Sequence, residues 1–297
     1  NGMRSEAAAV ARNIKAGHVH MASARIHRNI TVQRLAKDFY HFFRCQRPVV
    51  HRLGRPFRIS RRYIELDLTY RCNLQCRNCN RSCTQAPSRR DMSVAAIAAF
   101  IRESVATGRS WERIRLLGGE PTLHPDFTSI IGMLMDYRAS ANPGLRIVVC
   151  TNGCGSHVRR HLEDLPAAIH VKNTWKGRRQ RLFRPFNVAP IDRPLYRWAD
   201  TSCGCRILED CGLGLTPQGY YPCAIAGAID RVFGFGRGRE CLPPPGNDMR
   251  EDLDIFCRLC GHFGFSWPTR RIRMSPTWTQ AYERYHARCD RDPASCR

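Results

Sequence analysis

The stretch at residues 70–84, "YRCNLQCRNCNRSCT", decides the fold because it places four thiols, Cys72, Cys76, Cys79 and Cys83, within twelve residues. Four uses of these thiols compete: a disulfide pair, a zinc site, a cluster held by four thiolates, or a cluster held by three with Cys83 apart. A zinc site usually takes cysteine pairs from well-separated points of the chain, so that a turn and a helix can wrap the ion. Here only two residues separate the pairs, which is cramped for a zinc site and leaves a cluster with four or with three protein thiolates open.

The segment around these cysteines alternates between strand and helix patterns. Strands are predicted at residues 63–70, 113–121, 145–153 and 167–174, and helices at 93–108, 125–140 and 157–165, the first with Ser93 as N-cap. This alternation predicts parallel β/α units. Because the carboxyl ends of such strands form one active rim, the cysteines, "GGEP", "TNG" and a Lys-Asn pair are expected to converge there.

The segment "CNLQCRNC" (residues 72–79) resembles the CxxxCxxC motif of the radical S-adenosylmethionine (radical SAM) superfamily. "LLGGEPTLHP" (116–125) is similar to the superfamily's GGEP element and "CTNG" (150–153) to its third-strand turn. The resemblance implies a [4Fe–4S] cluster with three protein thiolates and one iron open to S-adenosyl-L-methionine (SAM). It implies Cys72, Cys76 and Cys79 as ligands, and as SAM-binding residues Gly118, Gly119, Glu120, Pro121, Thr151, Asn152 and Gly153.

The resemblance also implies a fold and a reaction. The fold is a partial (β/α) barrel, since residues 63–200 hold only four or five β/α units at roughly 30 residues or more each. The reaction is reductive cleavage of SAM to a 5′-deoxyadenosyl radical, which abstracts hydrogen from a substrate. A reductase, flavodoxin or ferredoxin would supply the electron. One departure is Asn78, which stands where the family often has an aromatic residue near adenine.

A second group of cysteines follows residue 200, in a glycine-rich, hairpin-like texture. It resembles the twitch domain, a short form of the SPASM extension that holds an auxiliary [4Fe–4S] cluster. The resemblance implies ligation by Cys205, Cys223, Cys257 and Cys260, with Cys211 competing for the first position. A zinc ribbon is the alternative, because four thiolates in two groups suit zinc equally well.

The composition indicates which kinds of partner and which cellular compartment to expect. The 297 residues carry 48 Lys and Arg against 25 Asp and Glu, a net charge of +23, which attracts anions. Sixteen cysteines in close clusters favour a reducing, cytoplasmic compartment over disulfides. No apolar run is long enough to cross a bilayer. The basic run at 172–184 follows the fourth strand, so Lys172, Asn173 and Lys176 could face an anionic small-molecule substrate.

These observations divide the chain into three predicted domains. They are a basic helical extension at 1–62, a radical SAM partial barrel at 63–200, and a small β-hairpin domain with the auxiliary cluster and a tail at 201–297. In the extension, Val32, Leu35, Phe39 and Phe42 recur at helical spacing, and this face is expected to pack on its own domain.

The functional hypothesis is a radical SAM oxidoreductase that acts on a polar substrate, phosphorylated or carbohydrate-like. The auxiliary cluster would assist electron transfer or substrate binding. Alternatives within the superfamily are peptide-modifying and RNA-modifying enzymes, which keep peptide and nucleic acid open as partners. A zinc-stabilised nucleic-acid-binding protein is the alternative of another class. No histidine or carboxylate outside GGEP has a spacing that nominates it as catalytic, and His124 is interpreted as a turn residue.

Overall fold

The computed structural model describes residues 32–174, 183–265, 267, 269 and 274–293. Its strands are β1 (Tyr63–Thr69), β2 (Arg113–Gly118), β3 (Arg146–Thr151), β4 (His170–Asn173), β5 (Leu213–Thr216) and β6 (Gly219–Tyr221). Its α-helices are α1 (Val32–Arg44), α2 (Arg47–Leu53), α3 (Val94–Ala106), α4 (Phe127–Ser140), α5 (Ser156–Glu163), α6 (Ile207–Asp210), α7 (Ala224–Phe233), α8 (Arg250–Cys257) and α9 (Pro276–Arg291).

The strands form one six-stranded sheet in the order β4-β3-β2-β1-β5-β6. Strands β1 to β4 pair in parallel, with α3, α4 and α5 as the connecting helices. The prediction of alternating strands and helices over residues 63–174 is therefore confirmed. The fold is mixed α/β with a mainly parallel sheet.

The two faces of β1 carry different chemistry. Ile64, Leu66 and Leu68 are fully buried in the hydrophobic core with residues of α3 and α4. Glu65 and Asp67 alternate with them and are also buried, although their side chains lie on the opposite face of the sheet. The inner face of the sheet, opposite the helices, is therefore polar.

Helix α3 begins where its sequence predicts. The Ser93 hydroxyl accepts a hydrogen bond from the Ala96 amide at 3.1 Å, which satisfies one of the free donors of the first turn. Ile97 and Phe100 are buried against the sheet. The helix thus fixes the chain that returns from the cysteine loop.

The predicted β-hairpin is present but continues the main sheet. Strands β5 and β6 are antiparallel, and β5 also pairs in parallel with β1, with Ile64 opposite Leu213. The hairpin is thus continuous with the main sheet through β1, and a separate small C-terminal domain stays a prediction. The boundaries of the three domains stay predictions.

The short helix α6 and the longer helices α7 and α9 of the C-terminal part were not predicted. Helix α7 is buried along almost its whole length. Helix α9 presents Trp278, Tyr282 and Tyr285 to the same apolar cluster as α7. These aromatic residues are spaced by four and three positions, which is the spacing of one helical face.

The N-terminal extension is described only from residue 32. The predicted helical extension at 1–62 contains two helices within its described part, α1 and α2. Phe42 packs against Tyr196 with ring centroids 5.4 Å apart, but Phe39 is 72% exposed. The expectation that Phe39 packs on the domain is therefore wrong, because Phe42 and His41 form the inner face of the helix. Within the described residues, no helix has the length and apolar character needed to span a membrane.

Candidate cofactor and iron–sulfur sites

The glycine turn after β2 lies directly on the backbone that leads into the cysteine loop. The Gly119 amide donates to the Thr69 carbonyl at 2.7 Å and the Glu120 amide to the Arg71 carbonyl at 2.8 Å. A Cβ on Gly119 would stand 2.1 Å from the Arg71 oxygen, so no larger residue fits without movement of the backbone. The GGEP turn is therefore joined to the chain immediately before Cys72.

Glu120 connects this turn to the turn after β3. Its Oε1 accepts hydrogen bonds from the hydroxyls of Thr122 at 2.9 Å and Thr151 at 2.8 Å. Its Oε2 accepts from the Asn152 amide at 2.8 Å. Burial raises the pKa of the Glu120 carboxyl, and the hydrogen bonds from Asn152, Thr151 and Thr122 oppose that rise.

The turn after β3 also contacts the cysteine loop. Asn152 donates to the Asn73 side chain at 2.8 Å and lies 4.0 Å from the Cys72 sulfur. Gly153 has a φ of +68°, and a Cβ there would meet the Asn173 side chain at 2.3 Å. The three motif loops and the end of β4 thus form one connected group. Asn73 was missed by the sequence analysis, although it follows Cys72 directly.

The three residues predicted to face the substrate near the end of β4 differ in exposure. Asn173 is buried against the turn after β3, while Lys172 is exposed. Lys176 lies outside the described residues.

The thiols of the cysteine loop lie near one another. Burial raises the pKa of Cys72 to about 11, and the charges of Cys79 and Cys76 add to the effect. Cys83 is buried, and its pKa is raised through a hydrogen bond with the Cys79 thiol and by burial. Its exclusion from the ligand set stays a prediction. The Gln85 side chain stabilises the loop, because it donates hydrogen bonds to the carbonyls of Cys76 and Arg77.

Asn78, which stands where the family often has an aromatic residue, forms hydrogen bonds with another segment of the chain. Its Oδ1 accepts a hydrogen bond from the Phe186 amide at 2.8 Å, and its Nδ2 donates to the Arg184 carbonyl. The side chain therefore ties the cysteine loop to the segment at 184–186.

The predicted auxiliary ligands Cys205, Cys223, Cys257 and Cys260 line one cavity. The other walls of the cavity are apolar, among them Ile229, Leu253 and Phe256. Four thiols around an apolar cavity form a donor set that fits an iron–sulfur cluster. Burial raises the pKa of Cys205, Cys223 and Cys260 to about 12 each.

Cys211, the competing first ligand, lies elsewhere. Its sulfur accepts a hydrogen bond from Arg115 Nη1 at 3.3 Å, on the inner face of the sheet, and it does not line the cavity. The structure thus places Cys205, and not Cys211, with the other three thiols. Among the residues that the structure describes, no three Cys, His, Asp or Glu side chains converge to the geometry of a single-ion site.

A buried ion cluster on the inner face was not predicted. Arg81, from the cysteine loop, contacts both Asp67 oxygens at 3.0–3.2 Å and Glu65 at 3.0 Å. Burial raises the pKa of Asp67 to about 6 against the opposing charge of Arg81. For Glu65, burial alone would raise the pKa, but the charges of Arg81 and Arg115 and the hydrogen bonds with Cys211 and Arg81 together outweigh it, so the pKa is lowered. Acids that alternate with Ile and Leu in "YIELDLTY" were the available signal.

Residues 66–172 match the family model described as "Radical SAM superfamily". The chain contains a radical SAM domain. The matched segment includes the CxxxCxxC, GGEP and TNG elements. A radical SAM domain implies SAM and a [4Fe–4S] cluster as cofactors.

Curated relatives match part of the same region. The GTP 3′,8-cyclase of Stenotrophomonas maltophilia (strain K279a) is 40% identical over 93 residues, which are 31% of this chain and 26% of that protein. The GTP 3′,8-cyclase of Synechococcus elongatus (strain ATCC 33912 / PCC 7942 / FACHB-805) is 37% identical over 109 residues, 36% of this chain and 31% of that protein. The chain therefore matches about a quarter to a third of the length of these relatives.

Two solved structures of BtrN were also found. The open conformation has a TM-score of 0.38 and 16% identity over 67% of this chain and 86% of that one. The complex with AdoMet and 2-DOIA has a TM-score of 0.37 and 14% identity over 81% of this chain and 92% of that one.

Proposed function

We propose that the chain is a radical SAM oxidoreductase in which Cys72, Cys76 and Cys79 hold the SAM-binding [4Fe–4S] cluster. With SAM bound, this cofactor supplies a 5′-deoxyadenosyl radical that abstracts hydrogen from the substrate. The observation that supports the proposal is the hydrogen-bonded junction of the three motif loops, in which Glu120 bridges the turns after β2 and β3.

The residues of the junction have distinct proposed roles. Gly118 and Gly119 let the backbone approach the cofactor closely, since they carry no Cβ. Glu120 Oε1 already accepts two hydroxyls, whereas Oε2 accepts one amide, which leaves acceptor capacity for an ammonium group. Pro121 begins a short 3₁₀ turn, Pro121–Leu123, that holds this carboxylate in place. Thr151, Asn152 and Gly153 form the facing wall.

The four thiols of Cys205, Cys223, Cys257 and Cys260 would hold an auxiliary [4Fe–4S] cluster. Support comes from their shared cavity and its apolar walls, which exclude water from a cluster and lower the local dielectric. A cluster held by these four thiols would supply electron transfer or help to bind the substrate. A reductase, flavodoxin or ferredoxin would reduce the SAM-binding cluster.

The proposed substrate is a polar small molecule, phosphorylated or carbohydrate-like. The net charge of +23 favours an anion. The relatives that match the radical SAM domain are named as enzymes that act on GTP, a phosphorylated nucleotide with a sugar.

The test is anaerobic reconstitution, followed by iron, sulfide and visible-absorbance measurements. Two four-iron clusters require about eight irons per chain. A triple alanine variant at Cys72, Cys76 and Cys79 should keep roughly half of that iron, because the auxiliary cluster is independent. Replacement of the exposed Cys241 by serine is the control and should keep all of it.

Activity is tested by adding SAM and dithionite. The reconstituted protein should form 5′-deoxyadenosine, and a deuterated substrate should transfer its label into that product. A protein that binds only zinc, with no absorbance bleached by dithionite, would refute the proposed function.

A further inference from the structure

The buried ion cluster on the inner face of the sheet extends from Glu65 towards β3 and β4. Glu65 and Arg115 are neighbours on β1 and β2, and Cys150 pairs with Lys172 on β3 and β4. We propose that Arg115 and Lys172 form an oxyanion-binding floor that anchors a phosphate or carboxylate group of the substrate. This inference rests on the proposed function, because it places the substrate beneath the site of radical formation.

Strand register places these side chains on one face. In a strand every second residue points the same way, and the paired residues Glu65 and Arg115 are joined by an ion pair of 3.2 Å. Arg115 stands opposite Val148 on β3, and Cys150 lies two residues further along on the same face, where it stands opposite Lys172 of β4. Arg115 and Lys172 therefore share this face, two strands apart, and the charges of both act on the Cys150 thiol.

Arg115 is held by only one end of its guanidinium group. Nη1 donates to Glu65 Oε1 at 3.2 Å and to the Cys211 sulfur at 3.3 Å. Within the described part of the chain, its Nε and Nη2 atoms make no hydrogen bond, and 18% of the side chain is exposed. The planar edge formed by Nε and Nη2 is the geometry that binds phosphate or carboxylate through two parallel hydrogen bonds.

The charges of the cluster leave a positive excess. Arg81 is occupied by Asp67 and Glu65, which it contacts with four hydrogen bonds. Arg115 forms an ion pair only with Glu65, which also pairs with Arg81. Among the described residues, Lys172 has no carboxylate at ion-pair distance. Two carboxylates therefore face three cations. An unbalanced, partly buried cation is stabilised by an anionic ligand.

The position of Arg115 suits a substrate that reaches the cofactor. Arg115 precedes Gly118 by three residues on β2, which corresponds to about 10 Å along the strand at about 3.3 Å per residue. A molecule the size of a sugar phosphate spans this distance. Its anion would bind at Arg115 while its C–H groups lie at the rim formed by the GGEP and TNG turns.

The first test uses inorganic phosphate as the probe on the reconstituted full chain. Phenylglyoxal modification of arginines, mapped by mass spectrometry, is measured with phosphate and with chloride at equal ionic strength. Phosphate should slow the modification of Arg115 by a factor of 1 + [phosphate]/Kd. Arg102, exposed on the outer helix α3, is the internal control and should react at the same rate in both salts. Lys172→Gln should reduce the protection of Arg115.

The second test is equilibrium dialysis with radiolabelled phosphate. Uptake should be lost in Arg115→Gln and Lys172→Gln and kept in Arg102→Gln, with iron content measured to check that each variant folds. An Arg115 that does not react in chloride, equal protection by both salts, or uptake that survives in Lys172→Gln overturns the proposal.

Failure of this inference is separable from failure of the proposed function. If wild-type protein forms 5′-deoxyadenosine but phosphate protects nothing, the oxyanion floor is wrong and the enzyme class stands. If phosphate protects Arg115 but SAM is never cleaved, the anion site stands and the proposed function is wrong.

Discussion

Replacement of Gly119 by alanine tests the junction between the GGEP turn and the cysteine loop. The new Cβ would stand 2.1 Å from the Arg71 carbonyl oxygen, a backbone atom that cannot swing away. Overpacking costs about 1–3 kcal/mol. Relief of the clash would also strain the hydrogen bonds from Gly119 to Thr69 and from Glu120 to Arg71, at about 1 kcal/mol each. We therefore expect a loss of about 3–5 kcal/mol in the free energy of unfolding.

The assay is anaerobic urea unfolding, with 5′-deoxyadenosine formation measured on the reconstituted variant. Gly132→Ala is the matched control, because Gly132 lies within α4 and a Cβ there meets nothing within 4 Å. That change should stabilise the protein by up to about 1 kcal/mol through helix propensity. If Gly119→Ala unfolds at the same urea concentration as wild type and cleaves SAM normally, the described contact does not exist.

Three further predictions address the other sites. Cys205→Ala should lose about half of the reconstituted iron, whereas Cys211→Ala, on the inner sheet face, should lose none. Arg81→Met should destabilise the fold by about 3–5 kcal/mol in urea unfolding, because two buried carboxylates lose their partner. Arg206→Met, which breaks only an exposed pair, should change stability by less than about 1 kcal/mol. Trp278→Ala should cost about 3–5 kcal/mol if α9 packs on α7 as described.

The sequence was sufficient for the part of the fold that local patterns encode. Each of the first four strands is a short apolar or alternating run followed by a turn, and the helices between them have polar caps such as Ser93. The motif loops were predictable for the same reason. Close contacts require glycine at Gly119 and Gly153. Such a requirement can be recognised in the sequence, because it fixes the residue type.

Helix α7 could not be predicted, because packing decides it. Its sequence, "AIAGAIDRVF", contains β-branched residues and a glycine, which suggested short strands. In the structure a Cβ on Gly227 would stand 2.5 Å from the Thr216 side chain, so this glycine allows α7 to lie closely on β5. The helix is favoured by the packing of α7 on β5, and the sequence of neither element alone indicates that packing.

The buried ion cluster shows the same limit and bears on function. The inner face carries four charged residues that come from two strands and a loop: Glu65, Asp67, Arg81 and Arg115. No single segment of the sequence therefore predicts the cluster. Burial of such a cluster costs at least as much as it gains, and apolar residues of similar size would often serve stability as well or better. Stability therefore does not explain why the inner face is charged. Arg81 lies in the cysteine loop, and the charges of Glu65 and Arg81 both act on Cys223 at the auxiliary cavity. The charge of Asp67 or of Glu65 also acts on thiols of both sites, Cys79 and Cys223. A charged face close to both groups of cysteines is therefore consistent with the proposal that it holds a polar substrate, and that proposal gives the buried ions a reason that fold stability does not.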